Sequence, residues 1–538
     1  MLTTRRKGLS FLPLMALLAA MSASGVPAAF HQKGPEPVPR YNGTFRIKGN
    51  WLPFNQVFDP AVPSHYFICE QLYDGLVKFD SHYNPMPSLA EYWLVSPDGK
   101  RITFYLRPGV RFHNGRELTA DDVKYSLERL VRNRPDNTYY QYFTRKVVGA
   151  EEYWQGRAAE VTGFRVVDPT TFEILWTRPF GSVGLYLLGM YYCKVLPKDL
   201  LESQGKNFFQ KPIGTGPFRF AEWIRSPRLE VLGVALERNP FYFGKKPYLS
   251  AIEYSPHFTD DQFDEGSVHM VTVTSERDLR RRFQVLENNT LKSFFLALSC
   301  DIPPFDQAEV RRALALGLDK TRLAEAYDTL PFRHLVLDSY IPPLLPGFFP
   351  RAASPFTDPD TAKLLLDRLL PDGGRKRLTL TLIFSSSRTD ESSQFARELG
   401  RQLGEMEIKL DVRYLRKPED IREVRVPYLK FLEYTMDFPD AENIIVPLYH
   451  SRSIVNERNA RYANPKLDGL LERSEVEPSW EQRLGLFRAI EKILYEEVPA
   501  IPLFSETVRI AVLPQVRGVH LPAMGFIFLD TKDIWLED

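Results

Sequence analysis

The chain has 538 residues, 44% hydrophobic and 25% charged, which suits a soluble globular protein of several domains. Its 69 basic and 68 acidic residues leave a formal charge of +1, without the clustered positive charge that a nucleic-acid groove or an anionic membrane surface demands. The 42 prolines argue for fixed turns and extended crossings over long uninterrupted helices.

At the start, Arg5, Arg6 and Lys7 precede the apolar run Leu9–Ala20, and small residues follow at Ser22-Ala23-Ser24-Gly25 and Ala28-Ala29. That is the three-part layout of a secretory signal peptide. The apolar run is short of the roughly 20 residues that a bilayer-spanning helix needs. Residues 1–29 are therefore expected to be a cleaved leader, and 30–43 a flexible lead-in. None of Cys69, Cys193 and Cys300 lies near the cut, so no acylated anchor is expected and the address is periplasmic. No cysteine pair has metal-site spacing. One disulfide with a free thiol, or three unpaired thiols, both fit.

Further along, Ile102, Phe104 and Leu106 alternate with Thr103, Tyr105 and Arg107, which predicts a half-buried strand. Pro108-Gly109 and Asn114-Gly115 then mark turns. Thr119, with Asp122 three residues on, is a variant capping box for a helix striped by Val123, Leu127 and Leu130. Helices are also expected over Glu309–Tyr327 and Trp480–Tyr495, and strands over Phe172–Trp176, Leu378–Phe384 and Ile408–Tyr414. The mixture implies α/β or α+β sheets with helices on their faces.

Catalytic signatures are missing. There is no G-x-S-x-G, H-E-x-x-H, P-loop or G-x-G-x-x-G. The nine histidines are scattered, and the His65 and His82 spacing fits no metal pattern. Asp121-Asp122 sit at a helix start, where they favour the macrodipole. No catalytic residue, metal or cofactor is expected.

A series of phrases carries more information than its turns and caps. It opens with Glu70-Gln-Leu-Tyr-Asp-Gly-Leu76, Pro87-Ser-Leu-Ala-Glu-Tyr-Trp93, Ser96-Pro-Asp-Gly-Lys100 and Leu106-Arg-Pro-Gly-Val-Arg-Phe-His-Asn-Gly115. It continues with Ile213-Gly-Thr-Gly-Pro-Phe218, Glu237-Arg-Asn-Pro240, Pro304-Phe-Asp306, Asp358-Pro-Asp360, Tyr462-Ala-Asn-Pro465 and Val498-Pro-Ala-Ile-Pro502. Their order and spacing resemble extracellular solute-binding protein family 5, the oligopeptide and dipeptide binders of ABC importers. The likeness runs from about residue 42 to the end. It implies an α/β, two-lobed periplasmic-binding-protein fold (type II, large three-domain variant) with a hinge and an interlobe cleft. Domain I would take 42–76, 211–285 and 506–538; domain II, 77–210; domain III, 286–505.

The resemblance also implies a site. Family members that bind peptides hold the ligand's ammonium with an aspartate, and Asp437 sits at the matching place in Glu433-Tyr-Thr-Met-Asp-Phe-Pro-Asp-Ala-Glu-Asn443. Tyr434 and Thr435 would pair with the extended peptide as an added strand does. The segment Ala61–His65, with Ser64 and His65, would approach from the first domain. Arg388 lies near the arginine that meets the ligand carboxylate in dipeptide binders. Tyr434 stands where the family usually has tryptophan, and Ser299 or Cys300 where an asparagine is common. The implied partners are a short peptide and the permease subunits of an ABC importer, met by a monomer without nucleic acid. Alternatives are a metal chelate, haem, an opine or an oligosaccharide in the same fold, or a secreted hydrolase.

Overall fold

The computed structural model describes residues 38–49, 56–62, 65–80, 82–132, 139–273, 283–327, 333–345, 347–349, 357–370, 378–385, 389–522 and 524–537. The expected leader, Ser64 and Arg388 lie outside them.

The strand Arg101–Leu106 buries Ile102, Phe104 and Leu106 and turns Thr103 and Tyr105 outward, as its alternation demands. It pairs antiparallel with Ala90–Val95 and Thr171–Leu175, and Phe164–Asp168 completes a four-stranded sheet. The helix Ala120–Val131 lays Val123, Leu127 and Leu130 into this sheet's core. The capping box forms: the Thr119 backbone N–H donates to Asp122 Oδ2 at 3.0 Å.

A larger sheet, eleven-stranded among the described residues, makes the frame. In one half, Thr44–Lys48 runs parallel to Ala251–Ser255, with Val231–Arg238 and Phe218–Arg225 antiparallel beyond it. In the other half, Thr379–Phe384 lies parallel between Lys409–Tyr414 and Tyr428–Thr435. Two long antiparallel strands, Gln284–Leu298 and Ala500–Val512, run through both halves. At one end Ala500–Val512 pairs with Met270–Thr272; at the other, Gln284–Leu298 pairs with Tyr428–Thr435. Their mutual register shifts between Asn289 and Ser293, between those two pairings.

Each half has its own core. Phe45, Ile252, Val271 and Ala511 pack in the first, and Leu296, Leu380, Phe395, Phe431 and Phe504 in the second. The small sheet's core, around Phe104, Phe112 and Phe172, is continuous with Ile444, Tyr449, Leu467 and Phe487 of the second half. The fold is two-lobed, and the small sheet shares its core with the second half.

One expected helix divides. Glu309–Tyr327 is two helices, Ala308–Leu316 and Lys320–Tyr327. Gly317 closes the first, and Asp319 Oδ1 accepts from the Arg322 backbone N–H at 3.1 Å to open the second. A side chain at Gly317 would collide with Met406, so the break is also a close packing point. The other expected helices and strands fall within two residues of their predicted ends. The cysteines are three free thiols, so no disulfide forms among them.

Candidate functional site

Asp437 follows the strand Tyr428–Thr435 and precedes the helix Glu442–Tyr449. Its loop is fixed from within. The Asp437 backbone N–H donates to Asn443 Oδ1 at 2.7 Å, and the Tyr434 hydroxyl donates to the Asn443 carbonyl at 2.8 Å. The Glu442 N–H donates to Asp440 Oδ1 at 2.8 Å. Beneath them the fully buried Arg483 grips Asp440 with two bonds of 2.6 and 2.7 Å. Such a bidentate pair is both strong and directional.

The Asp437 carboxylate is left open to solvent, yet protein surrounds it. That partial desolvation raises its pKa above the ordinary carboxylate value, and a hydrogen bond from the Tyr142 hydroxyl partly offsets the rise. No basic side chain among the described residues pairs with it. Tyr142 comes from the small-sheet body, at the end of the turn Tyr139–Tyr142. It opens onto an aromatic wall. Tyr142 and Tyr139 both stack on Tyr192, at 5.9 and 4.1 Å between ring centres. Tyr66 packs on Tyr191 at 4.1 Å, and the Tyr139 and Tyr191 hydroxyls are 3.4 Å apart. An unpaired carboxylate facing tyrosine rings attracts a cation twice, through charge and through the rings' negative faces.

The strand beside it offers backbone. Residues Leu429–Thr435 pair with Lys292–Leu298 on one edge. On the other edge, Thr379–Phe384 meets only Tyr428, Leu429 and Lys430. Among the described residues, Phe431–Thr435 therefore has one unpartnered edge ending at Tyr434 and Thr435.

The structure thus gathers Asp437, Tyr434 and Thr435. His65 is placed otherwise: it is buried, in a left-handed conformation with φ 50°, its ring edge-on to Phe58 at 5.5 Å. Its neighbour Tyr66 is the residue that joins the tyrosine wall. That wall escaped the sequence reading because Tyr139-Tyr140-Gln141-Tyr142 and Tyr191-Tyr192 follow neither helical nor strand periodicity. Aromatic density without a period was the available signal.

A model of the bacterial extracellular solute-binding proteins, family 5, matches residues 84–456. Heme-binding protein A of Haemophilus influenzae is 24% identical over 500 residues, covering 87% of this chain and 88% of that protein. The dipeptide-binding protein of Escherichia coli is 23% identical over 486 residues, covering 84% and 87%. Among solved structures, HbpA2 from Haemophilus parasuis superposes with a TM-score of 0.77 at 21% identity, covering 92% of this chain and all of that one. With more than half its length matched by the family model, the chain belongs to the bacterial extracellular solute-binding proteins of family 5.

Proposed function

We propose that this protein captures short peptides in the interlobe cleft and hands them to the permease of an ABC importer, as a periplasmic monomer that performs no chemistry on them. One observation carries the reading: Asp437 faces the tyrosine wall with no paired cation, beside an unpaired strand edge, among the described residues. A peptide's ammonium would complete the carboxylate, and its main chain would complete the strand. Main-chain recognition leaves side-chain identity largely unread. Tyr434 and Thr435 supply the edge in this reading; Ser64 and Arg388 are the candidates for the opposite wall and the ligand's carboxyl end, with His65 buried against Phe58 beside Tyr66. The dipeptide-binding relative supports the peptide, and a probable di/tripeptide-binding protein of Pseudomonas aeruginosa, 26% identical over 486 residues, does so again. The division into 42–76 with 211–285 and 506–538, 77–210, and 286–505 belongs to the same reading. The register shift at Asn289–Ser293 supports a hinge there, and closure is then selected by a ligand that touches both walls.

The test is mass spectrometry of what co-purifies when the chain is produced without residues 1–29. Short peptides are expected. Haem, a sugar or a metal chelate recovered without peptides would overturn the peptide and spare the fold, and turnover of a peptide library would overturn the claim of pure binding.

A further inference from the structure

Behind the Asp437 loop lies a charge cluster shared between the lobes. The loop's own lobe contributes three carboxylates, Asp440, Glu442 and Glu475, and one guanidinium, Arg483. Arg483 is committed to Asp440, with Glu442 at 3.4 Å and the Ser474 carbonyl at 3.0 Å. Three carboxylates therefore share one guanidinium within that lobe, and burial among that crowded set holds the Glu442 pKa above its ordinary value. Glu442 is 4% exposed and Asp440 1%, so water screens little of the excess.

The compensating charges come from the small-sheet body. Arg178 Nη1 reaches Glu475 Oε2 at 2.6 Å. The Lys146 ammonium sits over the Phe180 ring, 4.3 Å from its centre, and faces Glu442, Glu475 and Asp440. The two cations are held together: the Thr177 N–H donates to the Lys146 carbonyl at 2.8 Å, which fixes the Lys146 strap beside the Trp176–Phe180 turn. Gly99 of the same body, with φ 66°, accepts from the Phe180 N–H at 3.0 Å. A side chain there would meet Pro179 and Pro478. Two cations from one body thus face the crowded carboxylates of the other.

We propose that Lys146 and Arg178 are positioning residues, which neutralise the carboxylate cluster under the Asp437 loop only when the lobes meet and so slow the release of a bound ligand. The coupling is short. Asp440 and Glu442 are the groups on which the loop is built, through the Glu442 N–H and Arg483. Contacts made only in the closed state act on dissociation and leave the encounter alone. The inference rests on the reading of Asp437 as ligand anchor, but its test separates the two.

The variants are Lys146→Glu with Arg178→Glu, the milder Arg178→Gln, and the exchange Arg178→Glu with Glu475→Arg. Ala-Ala-Ala is the probe in stopped-flow binding, and X-ray scattering follows the ligand-free protein. The double reversal is expected to speed release roughly tenfold with association within about twofold, and to enlarge the ligand-free radius of gyration. Arg178→Gln should do less, and the exchange should restore the wild-type release rate. Asp437→Asn should weaken binding roughly fivefold while leaving the ligand-free scattering unchanged. If Ala-Ala-Ala fails to bind the wild type, the peptide reading falls and scattering alone decides this one. Reversal that moves neither release nor scattering, or an exchange that restores neither, overturns the proposal.

Discussion

Replacing Asp437 by asparagine keeps the side chain's size and its neighbours' packing while removing the charge. In the proposed complex it turns a charge-assisted bond to an ammonium into a neutral one. Charge-assisted bonds contribute about 1.5–3 kcal/mol, and neutral ones about 1. Subtracting the neutral bond that asparagine keeps leaves about 0.5–2 kcal/mol, and with Asp437 open to water the loss should be about 1 kcal/mol, or roughly fivefold in Kd. A thermodynamic cycle isolates it. Calorimetric titration compares wild type and Asp437→Asn with Ala-Ala-Ala and with its N-acetylated form. The acetylated peptide should bind the wild type weakly and be nearly indifferent to the substitution. A coupling energy below about 0.5 kcal/mol, the usual additivity error, refutes the pairing of Asp437 with the ammonium.

The ionised carboxylate is the form that binds, so affinity is present above Asp437's raised pKa and lost as pH falls through it. Tyr142→Phe removes the bond that lowers this pKa, so the acid limb of the binding profile should move to higher pH; an unmoved limb refutes the Tyr142 contact. Arg483→Met strands Asp440 and Glu442 in a dry site, and urea unfolding should register about 3–5 kcal/mol lost, against under 1 if the pair is incidental. Burial raises Glu442 from its ordinary value to about 7, so the folded chain holds a proton that the unfolded chain releases. Stability contributed this way falls as pH rises from about 4.5 to about 7. Glu442→Gln should flatten that decline, and an unchanged slope of unfolding midpoint against pH counts against it.

Much of the frame was readable because its signals are local. The Thr119 cap, the alternation at Ile102–Leu106 and the helix from Trp480 each depend on residues within a turn or two. The break at Gly317 was missed because its cause, the sulfur of Met406, is distant in sequence, while apolar spacing continues across it. Asp437, Tyr434 and Thr435 were found through the phrase around them. Their partner Tyr142 was not, because it meets that loop only through the approach of a separate body. Lys146 and Arg178 are unremarkable in sequence for the same reason. Their meaning lies in an imbalance of charge on helices some 300 residues away.

The unpaired edge at Phe431–Thr435 has a consequence beyond recognition. Exposed strand edges invite pairing with other chains and so invite aggregation. Here the edge carries Glu433, which meets Lys292 at 3.2 Å, and its end lies in the loop under the tyrosine wall. In the proposed reading a bound peptide's main chain would cover this edge, so the pairing that recognises the guest would also keep the edge from seeding a polymer.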